Sequence, residues 1–183
     1  MIRRLWMPVL ASALAGAVAA VLLVGPLGGG REAQAVAEPR VTVTRTVTVP
    51  AAAFGPMDDN TDFFNNSVSI LTVSGSGEFV APVFFEAPEV TVRKITLYAY
   101  DGGGANVCVK LLRIPPAASD GTLMGEACST GAAFGVRSFT QATLNPRRVA
   151  AGQGAALWLS LPGDGTGWVF YGAKITYSYE TGA

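Results

Sequence analysis

The chain has 183 residues, with no histidine and only two cysteines, and these scarcities exclude several kinds of active site. Without histidine, Ser-His-Asp catalysis, Cys-His catalysis and imidazole metal ligands are excluded. Two cysteines cannot complete a structural zinc site. Basic and acidic residues are balanced at 13 each, so there is no positive excess of the kind that binds nucleic acid. We therefore expect no cofactor, no nucleic-acid partner and no enzymatic activity.

Helical patterning is also missing after residue 30, and the one long apolar run lies at the amino terminus, in residues 5–27. Arg3 and Arg4 precede this run. Its length would span a bilayer core as a helix, which favours a retained anchor. The small residues of Ala33-Gln34-Ala35 instead favour cleavage of a secretory signal.

Residues 1–35 are thus interpreted as a signal peptide or a signal-anchor transmembrane helix, with the membrane as a partner if the segment is uncleaved. In either case the two arginines hold the amino terminus in the cytoplasm. The remainder is predicted to lie in the cell envelope facing outside, or to be secreted. In such an oxidising compartment Cys108 and Cys128 are expected to form a disulfide. The bond would close a loop of about 20 residues and stabilise the fold by about 3 kcal/mol.

Residues 36–66 are predicted to form a Thr/Val-rich spacer followed by a polar loop. Residues 41–49 alternate valine or arginine with threonine, which is typical of an extended strand. Because this stretch follows the apolar run so closely, we interpret it as a stalk that holds the domain away from the membrane. The alternative is an edge strand that docks on the domain.

The polar loop contains Asp58, Asn60 and Asp62 at the alternate spacing of a calcium-binding loop. Phe63 stands where such a loop needs glycine, so an EF-hand-type loop is excluded. A looser calcium site and a solvated turn both remain as hypotheses for these residues.

Residues 67–183 are predicted to form an all-β domain, because short β-type runs alternate there with glycine, proline, asparagine and aspartate. The pattern favours a single antiparallel β-sandwich that is jelly-roll-like, since the two cysteines are too close together for an immunoglobulin domain. Two glycine-rich segments are predicted to close hairpins. They are residues 101–104 and residues 162–166.

Alternation within the predicted strands assigns side chains to the two sheet faces. In residues 155–161 the three leucines would face the core and Trp158 would point outward. Between residues 90 and 100 the apolar positions change phase near Arg93-Lys94, which predicts a β-bulge. In the last strand the odd-numbered residues from 169 to 179 would face the core, leaving Phe170 outward.

If residues 162–166 close a hairpin, Trp158, Trp168 and Phe170 would share one outer face. Such a flat aromatic patch resembles the sugar-stacking platforms of carbohydrate-binding modules, and the resemblance implies a polysaccharide ligand. There are two alternatives for these three residues. They would form a contact with an extracellular protein, or they would be buried under another segment as a small additional core.

The predicted function is an exported, non-enzymatic surface interaction or structural module. The alternative is a carbohydrate-binding module that uses the aromatic patch. A carboxylate hydrolase, for which Glu86 and Glu89, or Asp58 and Asp62, would be candidates, is a third hypothesis. A β-sandwich architecture by itself does not decide among them.

Overall fold

The computed structural model describes residues 39–118, 120–163 and 165–182. These residues belong to one compact unit that is built almost entirely from β-strands. The predicted signal or anchor, residues 1–35, lies outside the described residues. The described part of the chain contains no helix that is long and apolar enough to span a membrane.

The described residues form twelve strands, with short 3-10 turns at Ala51–Ala53 and Gly165–Gly167. In chain order the strands are β1 Val41–Pro50, β2 Gly55–Pro56, β3 Phe63–Asn65, β4 Ile70–Thr72, β5 Gly77–Val83, β6 Val90–Asp101, β7 Cys108–Ile114, β8 Thr122–Cys128, β9 Ala133–Gln141, β10 Arg148–Val149, β11 Gly154–Leu161 and β12 Trp168–Thr181.

The strands pair into two antiparallel sheets. In sheet A the order is β10-β6-β12-β4-β3, with β1 paired to β12 and β9 paired to β6. In sheet B the order is β2-β5-β11-β7-β8. Apolar side chains from both sheets pack into one core, including Ile95, Leu97 and Ile175 from sheet A. The prediction of an all-β, jelly-roll-like sandwich is confirmed.

Leu157, Leu159 and Leu161 are fully buried on β11, as alternation predicted. The predicted bulge is also present, because Thr176 pairs with Lys94 while Tyr177 pairs with Val92, which leaves Arg93 without a partner across the ladder. Strand interiors therefore follow the period of two wherever no extra residue interrupts it.

The spacer interpretation is wrong for residues 41–49. Strand β1 pairs with β12 along its full length, from Val41 opposite Thr181 to Pro50 opposite Gly172. The edge-strand alternative is therefore the one that the structure supports, and the sandwich begins near Val41 rather than at residue 67. The physical reason is that the valine side of the strand buries apolar surface, as Val49 does at 4% exposure.

The two predicted hairpins are also wrong. Residues 102–107 connect β6 of sheet A to β7 of sheet B, and residues 162–167 connect β11 of sheet B to β12 of sheet A. Both segments cross between the sheets. A glycine-rich turn between two alternating runs suits a crossing as well as a hairpin, because either one only reverses the chain.

The phase of β12 changes at a second bulge, which the sequence analysis missed. Phe170 pairs with Ala99 while Gly172 pairs with Tyr98, so Tyr171 is the extra residue. Gly172 adopts a φ of 139°, and the backbone carbonyl of Val49 lies 3.0 Å from where its Cβ would be. The bulge turns Phe170 into the core, while Ala173 and Ile175 keep their predicted inward positions.

Candidate functional site

The structure separates the three aromatic residues of the predicted patch. Trp158 lies on β11 in sheet B, whereas Trp168 and Phe170 lie on β12 in sheet A. Phe170 is fully buried and makes an edge-to-face contact with Phe54, with ring centroids 4.8 Å apart. The predicted patch is therefore not formed, because the two strands that would build it belong to different sheets.

Trp168 is a packing residue at the start of β12. Its indole Nε1 donates a hydrogen bond to the carbonyl oxygen of Ala105 at 2.8 Å. A Cβ at Gly103 or at Gly163 would overlap its ring. Glycine is therefore needed in both segments that cross between the sheets, and Trp168 joins those segments to the core.

Trp158 points outward from sheet B, as predicted, but its ring is partly covered. Lys110 Nζ lies 5.7 Å from the ring centroid, and Glu126 holds that ammonium group in an ion pair at 3.7 Å. The Trp158 Nε1 atom is buried and has no hydrogen-bond partner among the described residues. This ring is half-buried, and the cation beside it is already paired with a carboxylate.

Asp58, Asn60 and Asp62 form a turn. The Asp58 carboxylate accepts hydrogen bonds from the Thr61 hydroxyl at 2.8 Å and from the Asn60 backbone N–H at 3.0 Å. The Thr61 hydrogen bond is the main cause that lowers the pKa of Asp58. The Asp62 backbone carbonyl accepts a hydrogen bond from the Val73 N–H. The geometry favours the solvated-turn hypothesis over the calcium hypothesis.

The predicted disulfide is confirmed between Cys108 and Cys128, which lie opposite each other on β7 and β8. With Glu126 these sulfurs make up the one acidic or sulfur ligand cluster found among the described residues. Both cysteines are consumed by the disulfide, so this cluster does not provide thiolate ligands for a metal ion.

A polar surface that the sequence analysis missed covers the outward side of sheet A, and we call it the hydroxyl face. It consists of Thr44, Thr46 and Thr48 on β1; Lys174, Thr176 and Ser178 on β12; Thr91, Arg93, Lys94, Thr96 and Tyr98 on β6; and Ser138 and Thr140 on β9. Thr96 and Ser178 are buried between their neighbours, and the other members are at least partly exposed.

The register aligns the hydroxyl face in rows across the strands. One row runs Thr48–Lys174–Thr96–Thr140, and the next contains Tyr98 and Ser138. The Thr96 and Thr140 hydroxyl oxygens are 3.0 Å apart, within hydrogen-bonding distance. The alternating threonines of β1 were visible in the sequence. They indicate a ligand surface only because β1 pairs with β12 and so joins sheet A.

Tyr98 is the aromatic centre of the hydroxyl face. Its side chain is half-buried, as that of Trp158 is, and the Nζ atom of Lys174 lies 5.3 Å from the ring centroid. Lys174 is exposed and forms no ion pair among the described residues. The ring and the ammonium group therefore present an aromatic surface and a free cation side by side.

A groove of about 310 Å³ lies at one end of the hydroxyl face, lined in part by Thr91, Arg93 and Ser178. The Arg93 Nε atom donates a hydrogen bond to the Ser178 hydroxyl at 2.9 Å, which orients the guanidinium group. Glu89, at the rim, is paired with Arg148 at 2.7 Å. The hydrogen bond from Arg148 is the first cause that lowers the pKa of Glu89.

The outward side of sheet B differs in chemistry, and we call it the apolar face. It consists of Val80, Pro82, Leu112, Ile114, Leu123, Ala156 and Trp158, with Phe84 directly after β5, and the same side of the sheet also carries Glu78, Ser160, Lys110 and Glu126. Phe84 is 79% exposed, and a groove of about 410 Å³ beside it is lined by Pro82, Ile114 and Gly154. The polar groups of this side are Glu78, Ser160 and the Lys110–Glu126 pair, whereas the groove beside Phe84 is lined mainly by apolar residues.

Comparison with known proteins identifies no family. No protein-family model matches the chain, and no curated protein matches it.

Solved structures with a related arrangement include the CBM36-1 domain of a multidomain xylanase from the hindgut metagenome of Trinervitermes trinervoides. It is 16% identical with a TM-score of 0.42, over 76% of this chain and 98% of that one. The CBM22-2 xylan-binding domain of Paenibacillus barcinonensis Xyn10C is 12% identical with a TM-score of 0.39, over 75% of this chain and 99% of that one.

The tryptic core of Bacillus thuringiensis Cry1Da is 8% identical with a TM-score of 0.41, over 76% of this chain and 24% of that one. Values of this size assign no ligand, activity or family to the chain. The structure itself shows an all-β sandwich with two chemically different outer faces.

Proposed function

We propose that this protein is a non-catalytic module that binds a polysaccharide through the hydroxyl face. The observation that supports this function is the half-buried Tyr98 ring, set among rows of threonine and serine side chains. Beside it lies Lys174, which forms no ion pair among the described residues. Sugar rings offer C–H faces that stack on an aromatic ring and hydroxyls that exchange hydrogen bonds with serine and threonine.

The shape of the hydroxyl face suits a chain-like ligand. Its rows cross the strands of sheet A from β1 to β9, which is a broad surface and not a deep cleft. Small molecules are usually bound in enclosed pockets that bury most of their surface. A polysaccharide instead gains affinity from many shallow contacts along its length, each made by one row of side chains.

Glu86 and Glu89, one of the two carboxylate pairs considered for a hydrolase, are each held in an ion pair. Glu86 is paired with Arg45 at 3.3 Å, and Glu89 with Arg148 at 2.7 Å. A general acid needs a carboxyl group whose pKa is raised, whereas the pKa of Glu89 is lowered. A non-enzymatic role is therefore proposed together with the binding function.

For the location of the protein and its protein partners, we retain the hypotheses drawn from the sequence. Export to the cell envelope or the medium is proposed from residues 1–35 and their apolar run. Contact with an extracellular protein stays a prediction, and the surface available to it is the apolar face, where Phe84 is 79% exposed.

Affinity electrophoresis of the full-length protein in gels that contain soluble polysaccharides tests the binding function. We expect at least one polysaccharide to retard the protein, and Tyr98→Ala to weaken the retardation by about tenfold because the stacking surface is lost. Trp158→Ala is the matched control, since it removes an aromatic ring beside a lysine from the other sheet. Equal loss in both variants, or no retardation by any polysaccharide, would reject the proposed function.

A further inference from the structure

The hydroxyl face carries positive charge that no neighbouring carboxylate balances. Arg93, Lys94 and Lys174 are all exposed there, and none of them forms an ion pair among the described residues. The chain as a whole is neutral, with 13 basic and 13 acidic residues. The excess of positive charge is thus a local property of the hydroxyl face. It arises because the pairing of β6 with β12 places these three residues on one surface.

Two carboxylates do border the hydroxyl face, but each is neutralised by an arginine. Glu180 is paired with Arg40 at 3.2 Å, and Glu89 with Arg148 at 2.7 Å. Both glutamates line the groove at the end of the face. They therefore leave the charge of Arg93, Lys94 and Lys174 available to a ligand.

The three cations lie close enough to act on one ligand. Lys94 and Lys174 are diagonal neighbours across β6 and β12, because Lys94 is opposite Thr176. Such neighbours have Cα atoms about 7–8 Å apart. Arg93 precedes Lys94 at the bulge, where an extra residue brings two successive exposed side chains onto the sheet.

The Arg93 guanidinium is oriented for recognition. Its Nε donates to the Ser178 hydroxyl at 2.9 Å, and that is the one hydrogen bond the guanidinium makes to the described residues. The two terminal nitrogens of the guanidinium group therefore remain able to donate hydrogen bonds to a ligand. A guanidinium group held in this way matches the two oxygens of a carboxylate or sulfate group.

We infer that the ligand of the hydroxyl face is an acidic polysaccharide, whose carboxylate or sulfate groups pair with Arg93, Lys94 and Lys174. This inference rests on the proposed polysaccharide-binding function and adds the class of ligand. Binding an anion relieves the repulsion among the three cations, while threonine hydroxyls and Tyr98 contact the neutral part of each sugar. A neutral polysaccharide would leave that repulsion in place.

The test compares two pairs of polymers that differ only in charge, with the full-length protein. Polygalacturonate is paired with its methyl ester, and dextran sulfate with dextran. We expect the acidic member of at least one pair to bind about tenfold more tightly, and added salt to reduce the difference. The double variant Lys94→Gln/Lys174→Gln should lose about tenfold on that acidic polymer only. Lys110→Gln is the control, because Lys110 is a paired cation on sheet B.

The outcomes separate the ligand class from the function itself. Equal binding to both members of each pair, or preference for a neutral polymer, would overturn the acidic ligand and leave a polysaccharide module. No binding to any polysaccharide would overturn both proposals. Phosphatidylglycerol vesicles and duplex DNA are the remaining probes. If they bind as tightly as the acidic polymer and Tyr98→Ala changes nothing, the face is a general anion surface and the acidic polysaccharide is rejected.

Discussion

The outer face of sheet A carries threonine, serine, tyrosine, lysine and arginine, whereas the outer face of sheet B carries valine, proline, leucine and isoleucine around a smaller polar set that includes the Lys110–Glu126 pair. The inner faces of both sheets are apolar, with Ile175 and Leu159 both fully buried. Packing constrains the inner faces to one chemistry, because both sheets contribute to a single core. The outer faces are free of that constraint, so differences in function are to be sought there.

The same aromatic–cation pair occurs on both outer faces. Lys110 Nζ lies 5.7 Å from the centroid of Trp158, and Lys174 Nζ lies 5.3 Å from that of Tyr98. Lys110 is paired with Glu126, while Lys174 has no acidic partner among the described residues. The surroundings of such a pair, more than the pair itself, decide whether a ligand can use it.

Phe170→Ala should have the largest effect, since Phe170 lies in the core that both sheets share. We expect the free energy of unfolding to fall by about 3–5 kcal/mol, as for other buried phenylalanines. Urea denaturation followed by tryptophan fluorescence measures it. Phe84→Ala, at a position 79% exposed, is the control and should change little. A near-neutral Phe170→Ala would instead support the outward orientation that alternation predicted.

Removal of the disulfide should cause the next largest loss of stability, and the loss should arise in sheet B. Cys108→Ser/Cys128→Ser removes a link between β7 and β8 with 20 residues of sequence separation. The free energy of unfolding should fall by about 3 kcal/mol in the chain-entropy model. Polysaccharide binding measured at low temperature should be unchanged, because the hydroxyl face belongs to the other sheet. Lost binding in a folded double variant would show that the two faces are coupled.

Thr96→Val tests how far the hydroxyl face contributes to stability. Thr96 is 8% exposed and its hydroxyl oxygen lies 3.0 Å from that of Thr140. Replacing the hydroxyl with a methyl group of similar size should lower the free energy of unfolding by about 1 kcal/mol. Thr46→Val is the exposed control, with a longer oxygen–oxygen distance of 3.4 Å to Thr176. Equal effects at both positions would indicate that burial of the hydroxyl does not matter.

Phe84→Ser should sharpen the contrast between the faces with little change in stability. An exposed side chain contributes little to the fold, so the free energy of unfolding should stay within about 0.5 kcal/mol. Solubility in ammonium sulfate should rise, because an apolar surface of 79% exposure is replaced by a hydroxyl. Affinity for a polysaccharide should stay unchanged. A clear loss of affinity would mean that the ligand also contacts sheet B.

The smallest expected effect is on stability at acid pH, and it arises from Glu89 at the rim of the hydroxyl face. The hydrogen bond from Arg148 lowers the pKa of Glu89, so the folded state favours the carboxylate. Its stabilising contribution is present above the ordinary glutamate pKa of about 4.3 and is lost as the pH falls through the lowered value. Unfolding measured from about pH 6 to about pH 3 should show a shallower decline in Glu89→Gln. An unchanged slope would contradict a role for this ion pair.

Much of the interior was predictable from local pattern. Leu157, Leu159 and Leu161 alternate with outward residues, and a period of two puts them on one face whatever the partner strands are. The phase change at Arg93 predicted the bulge because an apolar side must stay inside. Cys108 and Cys128 formed the one available pair.

The candidate site was not predictable in the same way. Tyr98, Lys174 and Thr140 come from β6, β12 and β9, and they meet only through the register of three strands. Phe170 was misplaced because the bulge at Tyr171 shifts the phase by one residue. A bulge depends on a neighbouring strand, so alternation within β12 does not reveal it.

By itself the sequence determined that the protein is a β-sandwich, which residues of most strands face inward, and that the two cysteines pair. These follow from periodicity and elimination, which act over short stretches of chain. Only the tertiary structure decided that β1 is part of sheet A and that the segments around Gly103 and Gly163 cross between sheets. It also decided which polar side chains share a surface. The physical reason is that strand partners are chosen by long-range burial and backbone hydrogen bonding, and no local pattern specifies them.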